Sequence, residues 1–368
     1  MDTKTNFLLY TILFFQLLTI SCGSSQQKSD EPVRYYPTGE QLDSAFTELY
    51  PLKVVEGILD TNVVIVGNSD EKKKQYRQSV AKLDGMVREI ARKVQKFDEQ
   101  PVYWVELDRQ GTQPALLEIN SIPFSYAYTS RYPEYRVDLL NQYIEKSGDQ
   151  HLRIRVFTSR GSQFRSRTNK LTVRIGYAPD KRKGDDEPQY LTDYISMPDS
   201  ILDKGIQYWD TTITFHAEVP WDHSHRLKNA VDLRTLPDLE ERVLRKYEEL
   251  RQNFVNCDVA GDLLADIDRL TNYYTCHYID NLASIKEDIK NDLSFIKPNH
   301  PDEKVFPIEN YELALYKDGK IAVLRHVIDK KGVVRRMIYV PENDDSLIES
   351  CTFFMLYLPE GKTELQVY

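Results

Sequence analysis

Between residues 101 and 221 apolar side chains recur at every second position, and between 236 and 296 they recur every three or four. A period of two buries one face of a strand and wets the other, whereas a period near 3.6 buries one stripe of a helix. In "HLRIRVF", Leu152, Ile154 and Val156 alternate with Arg153, Arg155 and Phe157. In "KLTVRIGY", Leu171, Val173 and Ile175 alternate with Thr172, Arg174 and Gly176. In "TITFHAEV", Ile213, Phe215, Ala217 and Val219 alternate with Thr212, Thr214, His216 and Glu218. "VYWVEL" and "ALLEIN" add two more runs. Short strands joined by turn-rich segments predict a β-sandwich over 101–222.

The helical spacing predicts an antiparallel hairpin over 232–297. One stripe runs through Leu236, Leu239, Val243, Tyr247, Leu250, Phe254 and Cys257. A second runs through Leu263, Ile267, Leu270, Tyr274, Leu282, Ile285, Ile289 and Leu293. Pro237 suits a first turn and Gly261 a break between the two. An earlier stripe, Tyr76, Val80, Leu83, Val87, Ile90, Val94 and Phe97, predicts one amphipathic helix in the region 49–100. Its other face is mostly Lys and Arg, the ordinary dress of a solvated outer face, though a basic amphipathic helix also suits an anionic membrane. Prolines 298, 301 and 307 then stop helix formation. The tail, 306–368, carries Asp-Gly and Lys-Gly turn signals between strand-like runs and predicts a small antiparallel sheet. Its apolar run "CTFFMLYL" reads as a central strand covered on both faces. The predicted class is therefore α+β: a helix, a β-sandwich, a helical hairpin and a terminal sheet.

The amino terminus predicts where the protein works. Asn6 to Ile20 is an apolar block shorter than the roughly 20 residues a membrane-spanning helix needs, so it fits a secretory signal over 1–21. It ends in "LTISC", which resembles the lipobox of bacterial lipoproteins, with Thr19 where that family prefers Leu. The resemblance implies that Cys22 is lipidated and becomes the first mature residue. Residues 22–48 would then be a lipidated flexible tether, starting with the polar run Gly23 to Pro32, which has nothing to bury. "QQKSDE" resembles the acidic signals that send Bacteroidota lipoproteins to the cell surface. The expected location is the bacterial outer membrane, facing the periplasm or the outside.

Composition narrows the rest. In 368 residues, 41% apolar content supplies a core, and a net charge of −9 argues against nucleic acid as partner. Besides Cys22 there are Cys257, Cys276 and Cys351. Cys257 and Cys276 are the nearest candidate disulfide, with free buried thiols the alternative.

Residues 114–157 resemble part of a galactose-binding-like jelly roll. In that family a strand ending in Asn leads to a loop, a "y-dl-yi" segment, a Gly turn and a strand of alternating aliphatics. Here these are "LLEIN", "YRVDLLNQYI", "KSGDQ" and "HLRIRVF". The resemblance implies a sandwich module that binds glycans or braces its neighbours, and it carries no site residues with it. "YKDGKIAVL" in the tail resembles MORN-like hairpins, of which at most two units are present.

No phosphate loop, dinucleotide fingerprint, His-Glu-x-x-His or Gly-x-Ser-x-Gly occurs in the chain. Three constellations stand out. "FHAEVPWDHSH" gathers His216, Glu218, Asp222, His223 and His225, a mixed nitrogen and oxygen set of the kind that ligates metals; solvated histidines beside a plugging Trp221 are the plainer alternative. Ten basic residues and one acidic lie between Arg153 and Lys183, and with Arg153, Arg155 and Arg174 on one sheet face they would receive an anionic partner. "SYAYTSRYPEY" packs Tyr126, Tyr128, Tyr132 and Tyr135 around Arg131, the residue mix of binding hot spots and sugar platforms. The function expected is a non-enzymatic envelope lipoprotein that holds a protein partner, as an immunity protein or an accessory part of an envelope machine, with no cofactor. A surface glycan binder is the alternative, and a metal-dependent hydrolase built on His216, His223 and His225 the third.

Overall fold

The computed structural model describes residues 63–110, 115–127, 134–157, 170–183, 188–198, 208–327, 331–340 and 346–368. The signal block, Cys22 and the tether lie outside them, as do Tyr128, Arg131 and Tyr132. The described chain mixes helices with several antiparallel sheets.

Two sheets form the first half. One has the order β5 (Glu134–Leu139), β2 (Val102–Gln110), β7 (Lys170–Ala178), β8 (Gln189–Tyr190), with β9 (Ile195–Ser196) also on β7. The other has the order β10 (Tyr208–Asp222), β6 (Lys146–Phe157), β3 (Ala115–Ile119), β4 (Ile122–Ala127). The alternation read from sequence decides which residues face in. Val105 and Leu107 from β2, Val173 and Ile175 from β7, Leu152 and Ile154 from β6, and Phe215 and Ala217 from β10 all join one buried cluster. Apolar area removed from water, at about 25 cal/mol per Å², is what holds the two sheets together. β3 turns directly into β4 through Asn120 and Ser121, both at positive φ. A tight hairpin thus stands where the jelly-roll resemblance has a loop.

Helices α1 (Asp70–Val80) and α2 (Leu83–Lys93) precede these sheets, and α4 (Leu239–Val255), α5 (Val259–Cys276) and α6 (Leu282–Ser294) follow them after a short α3 (His225–Lys228). Two smaller sheets complete the chain. One pairs β1 (Val64–Ile65), β11 (Lys304–Val305), β14 (Val334–Val340) and β15 (Ser346–Thr352). The other pairs β12 (Tyr311–Tyr316), β13 (Ile321–His326), β16 (Leu356–Tyr357) and β17 (Gln366–Val367). Val87 and Ile90 of α2, Tyr247 of α4, Leu263 of α5, Ile289 of α6 and Leu324 of β13 share a second core. Asn141 ties the two halves. Fully buried, its side-chain nitrogen donates to Pro101 O (2.9 Å) and Cys276 O (3.0 Å), while its oxygen accepts from Tyr103 N (2.8 Å).

Four expectations are corrected. The helix expected over 71–97 is two helices, because the chain tightens at Ala81 and Lys82, where the Lys82 N–H reaches back only three residues, to Ser79 O (3.0 Å). Ser79 is itself held from afar: its hydroxyl donates to Asp258 (2.6 Å) and accepts from Ala260 N (2.7 Å). Val80 is left partly exposed, and Phe97 packs on Trp221 and Tyr278 instead. The second arm of the hairpin is also two helices. Tyr278 takes a positive φ, and the Asn281 side chain caps α6 by accepting from Ala283 N (2.7 Å). The break before α5 falls at Cys257, at positive φ, and Gly261 lies inside the first turn with its N–H on Asp258 (3.0 Å). "CTFFMLYL" is divided between β15 and β16, in two sheets, with Phe354 turned into the helical core. Cys257 and Cys276 are free buried thiols.

Candidate functional site

The outer face of the first sheet carries the most concentrated recognition chemistry among the described residues. Strand alternation puts Trp104, Glu106 and Asp108 of β2 on that face, because Tyr103, Val105 and Leu107 point into the core. Register then fixes their neighbours. Tyr135 stands across from Asp108 on one side, and Arg174 across from Glu106 on the other. Residues 189–196 form a strap along β7: Leu191 N donates to Ile175 O (2.9 Å), and Thr192 Oγ1 accepts from Ile175 N (3.1 Å). From this strap Tyr190 and Tyr194 close over Arg174.

The Arg174 guanidinium carbon lies 3.3 Å from the Tyr190 ring centroid and 4.0 Å from that of Tyr194. Its Nε and Nη2 donate to Glu106 Oε2 at 3.1 and 2.7 Å. The other Glu106 oxygen accepts from Tyr190 OH (3.0 Å) and Trp104 Nε1 (3.5 Å). The Trp104 indole lies flat on Gly176, where any side chain would overlap it. One carboxylate thus collects an indole, a phenol and a guanidinium, while the ring surfaces stay outside. Tyr135 is 65% exposed, Tyr194 59%, and Leu191 and Tyr190 about two-fifths. Burial, followed by the Glu106 hydrogen bond, pushes the Tyr190 hydroxyl pKa up, so the phenol stays a donor at neutral pH.

Two residues singled out from sequence, Tyr135 and Arg174, meet here. The other basic candidates do not. Arg153 and Arg155 belong to the second sheet, so the three arginines share no face. Each is turned to a carboxylate: Arg153 to Asp210 (2.6 Å), Arg155 to Glu118 (2.9 Å), Arg174 to Glu106. For these three arginines cross-strand ion pairing stands in place of a shared anion-binding face; Arg160, Arg165 and Arg167 lie outside the described residues. Tyr126 lies on β4, in the second sheet. Trp104, Glu106, Tyr190 and Tyr194 escaped the sequence reading. Trp104 and Glu106 sit in a recognised strand with an unassigned face, and the strap "QYLTDYIS" has no alternation to follow.

The histidine constellation does not converge. His216, exposed on β10, lies between Asp149 Oδ1 (3.1 Å) and Glu218 Oε1 (2.6 Å), which raise its pKa in that order. Asp222 accepts from the Ser224 hydroxyl and backbone. His223 stacks on Trp221 with 14° between the rings, and burial, aided by Arg226 and His225, pushes its pKa down to about 4. His225 opens α3. Among the described residues no three His, Cys, Asp or Glu side chains come together as a metal site.

Compared with known proteins, the chain matches no family model, no curated protein and no solved structure. No helix among the described residues is long and apolar enough to cross a membrane.

Proposed function

We propose that this chain is a lipoprotein of the bacterial cell envelope, anchored through Cys22 at the outer membrane, that works as a non-enzymatic protein-binding module of the immunity or accessory type. In this reading its two large sheets make a jelly-roll-like β-sandwich, and the outer face of the β2 sheet is the contact surface. The observation that supports it is the combination of exposed rings with polar groups already spent on one another. Tyr135, Tyr194 and Leu191 are exposed, while Glu106, Arg174, Trp104 and Tyr190 satisfy each other. Tyrosine, tryptophan and arginine held rigid at the centre of a patch are the residues that dominate protein interfaces. Pre-ordered rings also lose little entropy on binding.

The same exposed rings favour a second reading, a glycan platform. A sugar, however, needs partners for its hydroxyls, and here Thr172 pairs with Ser196 (3.1 Å) as well. A protein partner can meet such a face with apolar side chains at lower desolvation cost.

The test uses the full chain in its own envelope. The wild type should retain a discrete partner in cross-linked pull-downs. The Tyr135→Ala/Leu191→Ala/Tyr194→Ala variant should lose it by roughly thirtyfold or more in affinity. Cys22→Ala should leave the membrane fraction and take up no palmitate analogue. A triple variant that keeps every partner, or a Cys22→Ala chain that stays membrane-bound, removes the reading. Retention of envelope polysaccharide in place of a protein moves it to the glycan alternative.

A further inference from the structure

Among the described side chains, the charges on this face do not all find opposite partners. Glu106 and Arg174 neutralise each other. Asp108, beside them on β2, accepts a hydrogen bond from Gln110, and Asp193 is exposed in the strap between the two tyrosines; among the described residues no cation pairs with either. The ring most open to solvent, Tyr135, is the direct cross-strand neighbour of Asp108. Glu106, Tyr194, Arg174 and Asp108 all lie near enough to act on its hydroxyl, whose pKa is raised, by burial first. An aromatic face attracts a cation through its quadrupole, and an adjacent carboxylate adds an ion pair. The protein already practises this chemistry on itself, with Arg174 held against two rings and one carboxylate.

Resting on the protein-binding reading above, we propose that the partner presents a basic side chain, arginine or lysine, that lies over Tyr135 and pairs with Asp108. The partner is thus a basic segment, complementary to the Asp108 carboxylate.

The experiment titrates the folded chain with three acetylated peptides, Leu-Arg-Leu-Arg-Leu and its counterparts with citrulline or glutamate for arginine, followed by calorimetry and by the tyrosine ring signals in NMR. The arginine peptide should bind, the citrulline peptide about tenfold more weakly and the glutamate peptide weaker still. Asp108→Asn should bring arginine down to the citrulline level with an unchanged thermal midpoint, and Tyr135→Leu should do the same. Equal binding of arginine and citrulline peptides, lost in Tyr194→Ala, overturns the cation and leaves the face as an apolar protein site. Indifference of the arginine peptide to Asp108→Asn also overturns it. Binding of none of the three at millimolar concentration overturns it too, and the pull-down then judges the broader reading.

Discussion

Gly176 shows how much of the site depends on a missing atom. It lies in β7 opposite Trp104, and the indole occupies the space a methyl group would need. The ring is thereby laid on the sheet with its N–H aimed at Glu106, which in turn holds Arg174 and Tyr190. Gly176→Ala forces the indole off. Overpacking of this kind costs about 1–3 kcal/mol. Urea denaturation should register that loss, and tryptophan emission should shift to the red as the indole lifts into water. An Ala variant with unchanged midpoint and emission would contradict the packing described. The mutual satisfaction of Glu106 and Arg174 has a matching consequence, since either one left alone would be a largely buried charge.

Tyr247, on α4, bonds to elements that lie 77 and 107 residues further along the sequence. Its hydroxyl donates to Phe354 O, between β15 and β16, and accepts from Leu324 N of β13 (3.0 Å). Both partners are main-chain groups, and the residue is fully buried. Tyr247→Phe leaves them unpaired and should cost about 1–3 kcal/mol with little change of shape; a denaturation midpoint within error of wild type would show that the hydroxyl is dispensable. This contact also explains what sequence reading could not reach. "CTFFMLYL" is apolar throughout, so periodicity cannot tell a long strand from two short ones. The division is made by a tyrosine far upstream. Helix breaks were hidden for a related reason: Ser79 and Asn281 set them through tertiary and capping bonds, while the apolar stripes run on across the breaks. The strands over 101–222 were legible because one-sided burial writes itself as alternation in Leu152, Ile154 and Val156. In the site, Tyr135 and Arg174 were legible from residue type, whereas Tyr190 and Tyr194 depend on a strap whose pairings with β7 are two residues each.

Across the molecule, the junction between the two cores is a titration point. His277, just after α5, is buried with its ring 4.4 Å from that of Tyr273, and burial first, then Lys181, pushes its pKa down to about 3. His223 is held near 4 in the same sense. An unfolded histidine takes its proton near pH 6.5. Between about pH 6.5 and about 3 these two histidines bind more protons in the unfolded chain than in the folded one, so their contribution to stability falls as the solution is acidified; Asp262 and Asp292, whose carboxyls burial pushes up to about 7 and about 6, act in the opposite sense. With urea midpoints at about pH 7, 5.5 and 4.5, His277→Gln should lose less stability on acidification than the wild type does, the difference being the histidine's share. A variant with the wild-type slope would show that His277 does not titrate in this way.

Val64 and Ile65 have their strand partners at Val305 and Lys304, and α2 packs in the same core as α5 and α6. A ribosome delivers the amino end first. Some 240 residues must therefore emerge before the earliest described strand finds its place, whereas the two large sheets can close on themselves long before. Synthesis and folding are thereby out of step at the start of the chain. If the amino end is also the tethered end, the segment nearest the membrane would be the last to be sealed.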